Sequence, residues 1–554
     1  MIAISVTMKA LLTRTSVFLP VAASLSSPLC SLHSSSICDS RASDQTMFSG
    51  VYDSVKSRLS EIERLEGISA LLSWDEAVMM PSNSATARND QKAALAGVLY
   101  EKKTDAQLGI DIKYLLDKLE DANDVNEYDK AIVRDAWRDY TVQKNKTKSM
   151  AMRIAELEGK GYAAWVSARS NNDWDSFRPV LQEMVELKKE VAQATKPHLS
   201  SYDAQIDDYE RGMKSARIDE VFQFLKQDLQ PLVSDILKSD ALANYSPPYA
   251  LRGGDMWDVD KQRELCREIA EAIGFDFTKG RFDVSVHPFT GGPHPTDVRI
   301  TTRYSTENWL EGIAGTVHEV GHGLYEQGRN STYNDLPVSR ALCMGVHESQ
   351  SLFWERMIFQ SLDFWIWATP LVHKHFPHTK HCTPQDFYEF VNQVRPSLIR
   401  VDADEVTYPM HIMLRFDLEK DIFSNSISLE SLAEKWIAMM KSSLSVEVPD
   451  NKSGVLQDVH WSFGAFGYFP SYTLGAIIAA QIYETALRDI PDMRGKVRRG
   501  EFAEIREYLR KNIHSVGSLY SSPDDLLQHV TGKPMDPKCF TSYLNTKYRA
   551  LYNI

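Results

Sequence analysis

Apolar side chains recur every three or four residues along most of the chain after residue 50. In the first such segment Val51, Val55, Leu59, Ile62 and Leu65 form one stripe, and the positions between them are mostly polar or charged. That spacing matches the 3.6-residue repeat of an α-helix with one buried face. Similar stripes predict further helices over the segments of about 131–157, 177–194, 221–237 and 261–273. The fold is therefore predicted to be mainly α.

One short segment departs from the helical repeat. Polar and apolar residues alternate from Asp297 to Tyr304, which is the two-residue period of a β-strand. The alternation puts Asp297, Arg299, Thr301 and Arg303 on one face. A polar strand face just ahead of the histidine-containing helix described below indicates the wall of a cleft, whereas the alternative is a short solvated hairpin. Periodicity alone leaves both interpretations open, but either way a small β element lies beside the predicted catalytic helix.

Composition and charge exclude several classes of protein. Of the 554 residues 43% are hydrophobic and 25% are charged, which is typical of a globular protein with a large core. No linker rich in Pro, Gly and Ser interrupts the chain after about residue 50, so residues 47–554 are predicted to form a single domain, which would carry any catalytic site. The formal charge of -13 gives no general attraction to nucleic acid. No apolar run approaches the roughly 20 residues that span a membrane. We expect neither nucleic acid nor membrane as a partner.

The first 46 residues differ from the rest of the chain. Serine is abundant there, basic residues are present, and no acidic residue precedes Asp39. This composition is typical of an organelle transit peptide. It predicts a targeting extension over residues 1–46, disordered or removed, that delivers the protein to a mitochondrion or plastid. Two alternatives remain: a secretory signal with Val17–Leu25 as its apolar segment, or translation from Met47, which would leave the protein in the cytoplasm.

The strongest chemical signal is an HExxH motif at residues 318–322. About one helical turn separates His318 from His322, so both imidazoles project from the same face and can bind one Zn²⁺ through nitrogen. Glu319 lies beside them, offset from the metal but able to contact a water bound there, which is the position of a general base. The alternative is a pair of structural histidines satisfied by neighbouring carboxylates.

A zinc site of this kind needs a third protein ligand. The elongated HExxHxxGxxH pattern fails because Tyr325 and Gly328 stand where it requires Gly and His. Glu326 lies a further turn along the same helix and would strain to complete a tetrahedron. Glu348 follows in the next predicted helix, and an antiparallel return would bring its carboxylate over the two histidines. His347 points about 100° away from Glu348 on that helix, so only one of them can face the metal. Two histidines and one carboxylate would leave an open position for an activated water.

Six motifs occur in order over most of the chain. They are His287-Pro288-Phe289, Asp297-Val298-Arg299 with Thr301 and Arg303, HEVGH at 318–322, His347-Glu348-Ser349-Gln350, Ile399-Arg400-Val401-Asp402-Ala403-Asp404, and Gly454-Val455-Leu456-Gln457-Asp458-Val459-His460-Trp461. With these motifs the chain resembles the thermostable carboxypeptidase family of gluzincin peptidases, often called the carboxypeptidase Taq family. The resemblance implies a helical body with a deep active-site groove, a homodimer, and metal-dependent release of single C-terminal residues with broad side-chain tolerance. The ion would be Zn²⁺, with Co²⁺ or Mn²⁺ as alternatives, at one per subunit.

An exopeptidase also has to bind the free carboxylate of its substrate. The planar fork of a guanidinium group suits that task. Arg400 is the predicted residue because it stands in a family motif, and the alternative is an ion pair with Asp402 or Asp404 that holds two helices together. Tyr408 and His287 are further candidates for the same substrate-binding cleft.

Hydrolysis requires in addition a donor to the oxyanion that forms at the attacked carbonyl. Tyr472 is the predicted donor, since its surroundings resemble the tyrosine-bearing segment of gluzincin peptidases. His460, twelve residues earlier, is predicted to bind the substrate backbone or carboxylate. For Tyr472 the alternative is an aromatic residue of the core. For His460 it is a structural histidine whose hydrogen bonds are satisfied within the protein.

The sequence therefore predicts a metallocarboxypeptidase that acts on peptides with a free C-terminus. Zinc-activated water would attack the last peptide bond, and Glu319 would take the proton and return it to the leaving amine. One rival is an oligopeptidase or dipeptide-releasing gluzincin, which would use the same metal chemistry. The other is a catalytically silent helical scaffold or peptide-binding protein.

Overall fold

The computed structural model describes residues 37–119 and 125–554, with side chains from residue 47 onward. The predicted targeting segment, residues 1–46, thus lies outside the described residues apart from a helical backbone that begins at Ile37. The helices of the described part are α1 (Ile37–Val78), α2 (Ala85–Lys103), α3 (Ala106–Lys118), α4 (Glu127–Asn145), α5 (Lys148–Asn171), α6 (Trp174–Thr195), α7 (Ser201–Asp207), α8 (Ser215–Leu237), α9 (Asp240–Ala243), α10 (Val259–Ile273), α11 (Trp309–Gln327), α12 (Met344–Leu352), α13 (Leu362–His375), α14 (Pro384–Val391), α15 (Tyr408–Phe423), α16 (Leu432–Leu444), α17 (Pro470–Asp489), α18 (Met493–Arg499), α19 (Ala503–Leu509), α20 (Pro523–Thr531) and α21 (Pro537–Tyr552). The prediction of a mainly α fold is confirmed.

The helical repeats of the sequence correspond to these helices with one exception. The segments 177–194, 221–237 and 261–273 lie inside α6, α8 and α10. The single helix expected over 131–157 is wrong, because α4 ends at Asn145 and α5 begins at Lys148. The Thr147 side chain caps α5 by accepting a hydrogen bond from the backbone N–H of Met150. An N-cap residue stops one helix and starts the next even where the apolar repeat continues.

A small sheet lies just ahead of α11. Its strands are β1 (Gly280–Val284), β2 (Thr290–His294) and β3 (Asp297–Thr302). The central strand, β3, pairs parallel with β1 and antiparallel with β2. The predicted strand is therefore present, although it ends at Thr302 rather than at Tyr304. The hairpin alternative is correct for the pairing of β2 with β3 but wrong about solvation, since Thr301 is buried.

The two faces of β3 pack against different helices. The apolar face, with Val298 and Ile300, is buried towards α11. On the polar face the Arg299 guanidinium lies 4.3 Å from the centre of the Trp74 ring in α1 and also pairs with Asp297 at 2.8 Å. This polar face is covered by α1, so it does not form an open cleft wall. The strand that approaches the catalytic side chains is β2.

The helices that carry the candidate chemistry lie at the centre of the molecule. α12 packs between α11 and α17, and α17 is buried along most of its length. A large apolar core cluster runs from Ile154 to Tyr552, and a smaller one joins α1, α3 and α4 to Leu336 and Val338. Among the described residues, none of the helices combines the length and the apolar character that crossing a membrane requires.

Candidate metal centre

Three side chains from α11 and α12 converge at one point. Nε2 of His322 lies 3.3 Å from Oε2 of Glu348, and Nε2 of His318 lies 3.9 Å from the same oxygen. One ligand atom from each of the three residues lies within 4.8 Å of the others, and all three residues are buried. Ligands bonded at about 2.0–2.1 Å to one ion must lie roughly 3–4 Å apart. The arrangement therefore has the dimensions of a three-ligand metal site.

Two glycines allow the helices to approach closely enough. A Cβ atom on Gly321 of α11 would lie 2.6 Å from the carbonyl oxygen of Gln350 in α12. A Cβ atom on Gly475 of α17 would lie 2.9 Å from Cγ of Glu348. Side chains at either position would push α12 away, so the two glycines fix Glu348 against the histidines.

The unpaired polar atoms of the site fit a bound cation. Nε2 of His318 and Oε1 of Glu348 are buried and have no hydrogen-bond partner among the described residues. Leaving such an atom unpaired costs about 1–3 kcal/mol. Coordination to an ion would satisfy both, and two imidazole nitrogens with one carboxylate form a typical zinc donor set.

Further side chains orient the three candidate ligands. Oε2 of Glu355 lies 2.6 Å from Nδ1 of His318, which leaves Nε2 of that ring for the metal. His347 is turned away from the centre. Its Nε2 lies 2.9 Å from Oε1 of Glu326, and its ring stacks on that of His322 with centroids 4.6 Å apart. Of the neighbouring pair at 347 and 348, only the glutamate faces the metal group, as predicted.

The charges of Glu348 and Glu355 favour a positive charge at His318, although burial lowers the pKa of His322 to about 4. Burial lowers the pKa of His318, but the charges of Glu348 and Glu355 outweigh burial and raise it to about 9. Burial raises the pKa of Glu348, but the two histidines outweigh it and hold the pKa at about 2. The same carboxylates that raise the pKa of His318 would stabilise a divalent cation.

Glu319 occupies the position expected of a general base. It is buried, and its Oε2 accepts a hydrogen bond of 2.7 Å from the Thr290 hydroxyl of β2. Burial raises the pKa of Glu319 to about 7, although the charge of His318 and the bond from Thr290 act in the opposite direction. A carboxylate of this kind can both accept and return a proton near neutral pH.

Four of the five other predicted catalytic and substrate-binding residues form a cluster beside this group. Nε2 of His460 lies 3.3 Å from the Tyr472 hydroxyl, and Nη1 of Arg400 donates to the Tyr408 hydroxyl at 2.7 Å. The two tyrosine rings meet edge to face, with centroids 6.1 Å apart. Burial, with a contribution from the charge of Glu348, raises the pKa of Tyr408 to about 12. All four residues are buried.

Arg400 has a partner that the sequence did not indicate. Its Nε and Nη2 donate to Oδ1 of Asp458 at 3.0 and 2.7 Å, while Arg415 donates to Oδ2 of the same carboxylate at 2.7 Å. The alternative of an ion pair with Asp402 or Asp404 is wrong. Two buried guanidinium groups instead share one carboxylate, and only Nη1 of Arg400 points to Tyr408.

His287 stands apart from this cluster. Its side chain is exposed, and its charged neighbours are Arg303 and Glu311. The next residue, Pro288, lies 3.7 Å from where a Cβ atom on Gly315 of α11 would be, so this motif packs on the catalytic helix. A role of His287 in substrate binding stays a prediction.

Sequence reasoning missed several residues of the site. Glu355 follows Glu348 by seven residues, which is two helical turns and hence the same face, so a signal for it was available. Asp458 belongs to a family motif, but no arginine or lysine close to it in the sequence indicates that it forms an ion pair. Thr290 carries no sequence signal, because its contact with Glu319 depends on how β2 packs against α11.

A cavity of about 770 Å³ adjoins the centre. Its lining includes Thr290 and Gly291 of β2, Met344 and His347 of α12, and a long stretch of α1. The three candidate ligands do not themselves line it, but Thr290 contacts Glu319 and His347 stacks on His322. The expected deep active-site groove stays a prediction, because this cavity adjoins the three candidate ligands without including them.

The chain is similar to known proteins over most of its length. Residues 54–548 match the model of a family described as carboxypeptidase Taq (M32) metallopeptidase. Thermostable carboxypeptidase 1 of Thermus thermophilus is 37% identical over 507 residues, which cover 89% of this chain and 97% of that protein. Carboxypeptidase 1 of Bacillus subtilis is 33% identical over 496 residues, with coverage of 89% and 97%.

Solved structures show the same fold. Metallocarboxypeptidase 1 of Trypanosoma cruzi superposes with a TM-score of 0.86 at 32% identity and covers 90% of this chain and 99% of its own. An M32 carboxypeptidase of Deinococcus radiodurans R1 gives a TM-score of 0.84 at 30% identity, with coverage of 91% and 100%.

Proposed function

Because the chain belongs to the carboxypeptidase Taq (M32) metallopeptidase family, we propose that it is a metal-dependent carboxypeptidase that removes single residues from peptide C-termini with broad specificity. The observation that carries this proposal is the buried group of His318, His322 and Glu348, with Glu319 beside it. The substrates are peptides with a free C-terminus.

The proposed ion is Zn²⁺, one per subunit, with Co²⁺ and Mn²⁺ as alternatives. His318, His322 and Glu348 would hold it, which leaves one position of a tetrahedron open. When bound, the ion would polarise the attacked carbonyl and lower the pKa of water.

Glu319 takes the proton from the attacking water and returns it to the leaving amine. The Thr290 hydroxyl donates to Oε2 of Glu319, which leaves Oε1 for the water. The same bond fixes the rotamer of the glutamate, so the proton acceptor is held in place before the substrate arrives.

Tyr472 donates a hydrogen bond to the oxyanion. Burial holds the pKa of Tyr472 well above its ordinary value, so the hydroxyl keeps its proton. Burial also lowers the pKa of His460 to about 3, which makes this histidine a neutral neighbour of the tyrosine. Nε2 of His460 lies 3.3 Å from the Tyr472 hydroxyl, which supports its binding of the substrate backbone beside the oxyanion.

Arg400 and Tyr408 form the cationic end of the site, where the substrate carboxylate binds. Arg400 uses two nitrogens on Asp458 and presents Nη1 beside the Tyr408 hydroxyl. His287, which is exposed and precedes the Pro288 that packs on α11, is proposed as a further substrate contact.

Paired peptides test the proposal. A peptide ladder read by mass spectrometry should show stepwise loss of single C-terminal residues from the free acid. The same peptide with an amidated C-terminus should stay intact. Equal cleavage of both forms would identify an oligopeptidase, and cleavage of neither by metal-loaded protein would identify a scaffold or binding protein.

Two proposals concern the whole molecule. We propose a homodimer, which the resemblance implies and light scattering would measure. We also propose that residues 47–554 form one catalytic domain and that residues 1–46 direct the protein to an organelle. The composition of that segment supports targeting, and the N-terminus of the mature protein in cells would decide between an organelle, secretion and the cytoplasm.

A further inference from the structure

The helix that carries Glu348 continues into an unusual turn. Residues Phe353–Phe359 form a π-helix directly after α12. Such turns are rare and frequently stand at functional sites. A π-turn advances less per residue around the axis than an α-helix, so it rotates Arg356, eight residues after Glu348, back towards the face of Glu348. Arg356 thereby joins Glu355 on the side of the helix that faces the candidate metal centre.

Arg356 differs from the other buried arginines of the site. The residue is buried, with only 5% of its surface exposed. Nη1 is fully buried and has no hydrogen-bond partner within residues 37–119 and 125–554, and no carboxylate oxygen of these residues forms an ion pair with the guanidinium group. Arg400 and Arg415, by contrast, both bind Asp458. A buried guanidinium group with unused donors is costly, so an acceptor from outside the chain would be strongly favoured.

Neighbouring carboxylates keep Arg356 charged, although none of them accepts a hydrogen bond from its guanidinium group. Burial opposes the charge, but the carboxylates of Glu355 and Glu405, and more weakly Glu348, raise the pKa of Arg356 above its ordinary value. Glu355 and Glu405 have closer partners of their own. Glu355 bonds to His318 at 2.6 Å, and Glu405 pairs with Lys547 at 2.7 Å.

Arg356 also lies beside the aromatic ring of Tyr408, the residue that Arg400 contacts. Its Cζ is 5.4 Å from the centre of the Tyr408 ring, and Cζ of Arg400 is 5.9 Å from the same centre. Arg400 donates to the hydroxyl of that ring. Two guanidinium groups thus flank Tyr408, and only Arg356 has its donor fork unoccupied.

We propose that Arg356 binds the terminal carboxylate of the substrate through its free donors, with Nη1 of Arg400 and the Tyr408 hydroxyl completing the site. This inference rests on the proposed carboxypeptidase function. A carboxylate matches the guanidinium fork in charge and geometry. An amidated C-terminus would leave the buried cation unpaired, so Arg356 would be the residue that selects free acids.

The test compares Arg356→Gln and Arg356→Lys with a matched control, Lys547→Met, which removes the other buried cation beside Glu405. For each protein, kcat/KM is measured on one peptide as free acid and as amide, together with its metal content. Binding of N-acetylphenylalanine and of its amide to the metal-free protein is measured by calorimetry.

Arg356→Gln should lower kcat/KM for the free acid by about 30-fold or more and abolish binding of N-acetylphenylalanine, with metal content and the amide results unchanged. Arg356→Lys keeps the charge but not the fork. For this variant kcat/KM should fall about 10-fold on the free acid and stay unchanged on the amide. The lysine variant keeps the inference testable if the glutamine variant does not fold. Lys547→Met should keep the wild-type preference for the acid.

Two results would overturn the inference. If both Arg356 variants lost metal, or lowered hydrolysis of the free acid without weakening the binding of N-acetylphenylalanine, Arg356 would serve only as a counter-charge for its acidic neighbours. If both variants kept the wild-type preference for the acid, another residue would bind the carboxylate. Failure of the proposed function is distinguishable, because the wild-type protein would then cleave acid and amide equally.

Discussion

Nδ1 of His318 in α11 lies 2.6 Å from Oε2 of Glu355, in the π-turn that follows α12. This contact fixes the orientation of the imidazole and directs Nε2 towards Glu348. Replacing the carboxylate should loosen that orientation and make the ring a weaker ligand. We expect Glu355→Gln to lower metal affinity by about 10- to 100-fold, measured by competition with a chromophoric chelator.

Glu268→Gln is the matched control for this substitution. Glu268 accepts from His375 at 2.8 Å, the same type of contact, but that histidine is not a metal ligand. Metal affinity should stay at the wild-type value in this variant. An equal loss in both variants, or none in Glu355→Gln, would contradict the role given to Glu355.

The contact of Thr290 with Glu319 gives a second prediction. Thr290→Val keeps the shape of the side chain but removes the hydrogen bond to Oε2 of Glu319. Loss of a hydrogen bond to a charged group costs about 1.5–3 kcal/mol, so kcat should fall by about 10-fold or more while the metal is retained. Steady-state kinetics and metal analysis provide the check. Thr290→Ser keeps the hydroxyl and should keep most of the activity, and equal losses in the two variants would refute the prediction.

A third prediction concerns the stability of the cationic cluster. Asp458→Asn leaves Arg400 and Arg415 buried with no carboxylate between them. Breaking a buried ion pair in this way costs about 3–5 kcal/mol of unfolding free energy. Denaturant unfolding should show this loss, whereas Asp297→Asn, which breaks the more exposed pair with Arg299, should cost less than about 1 kcal/mol. Similar losses for the two variants would show that the cluster is not a special source of stability.

The same carboxylate predicts how stability depends on pH. Burial alone would raise the pKa of Asp458, but Arg400 and Arg415 outweigh it and hold the pKa far below its ordinary value. A group with a depressed pKa in the folded state stabilises the protein above its unfolded-state pKa of about 3.9 and loses this contribution as pH falls towards the folded value. The melting temperature of the wild-type protein should therefore approach that of Asp458→Asn as pH falls below about 4. A difference that does not change over this range would contradict the assignment.

Local patterns in the sequence predicted the centre of the site. His318, His322 and Glu348 lie on two helices whose apolar repeats and motif spacing are visible in the chain itself. The roles of such residues follow from helical periodicity because each helix presents one face to the other.

Contacts between distant segments could not be predicted in this way. Asp458 meets Arg400 and Arg415 only because the tertiary structure joins segments more than 40 residues apart, and neither residue type indicates its partner. The break between α4 and α5 depends on the Thr147 cap, which a continuous apolar stripe conceals. The π-turn that orients Arg356 contains no glycine or proline to mark it.

The central claim is that Glu319 accepts the proton of a water activated at the His318, His322 and Glu348 site. Its most direct test is the hydrolysis rate of a free-acid peptide by Glu319→Gln with its metal content measured on the same sample. Loss of an essential general base lowers kcat by about 10²- to 10⁴-fold. We predict a loss of that size with one metal ion still bound per chain, and wild-type turnover in the metal-loaded variant would contradict the account.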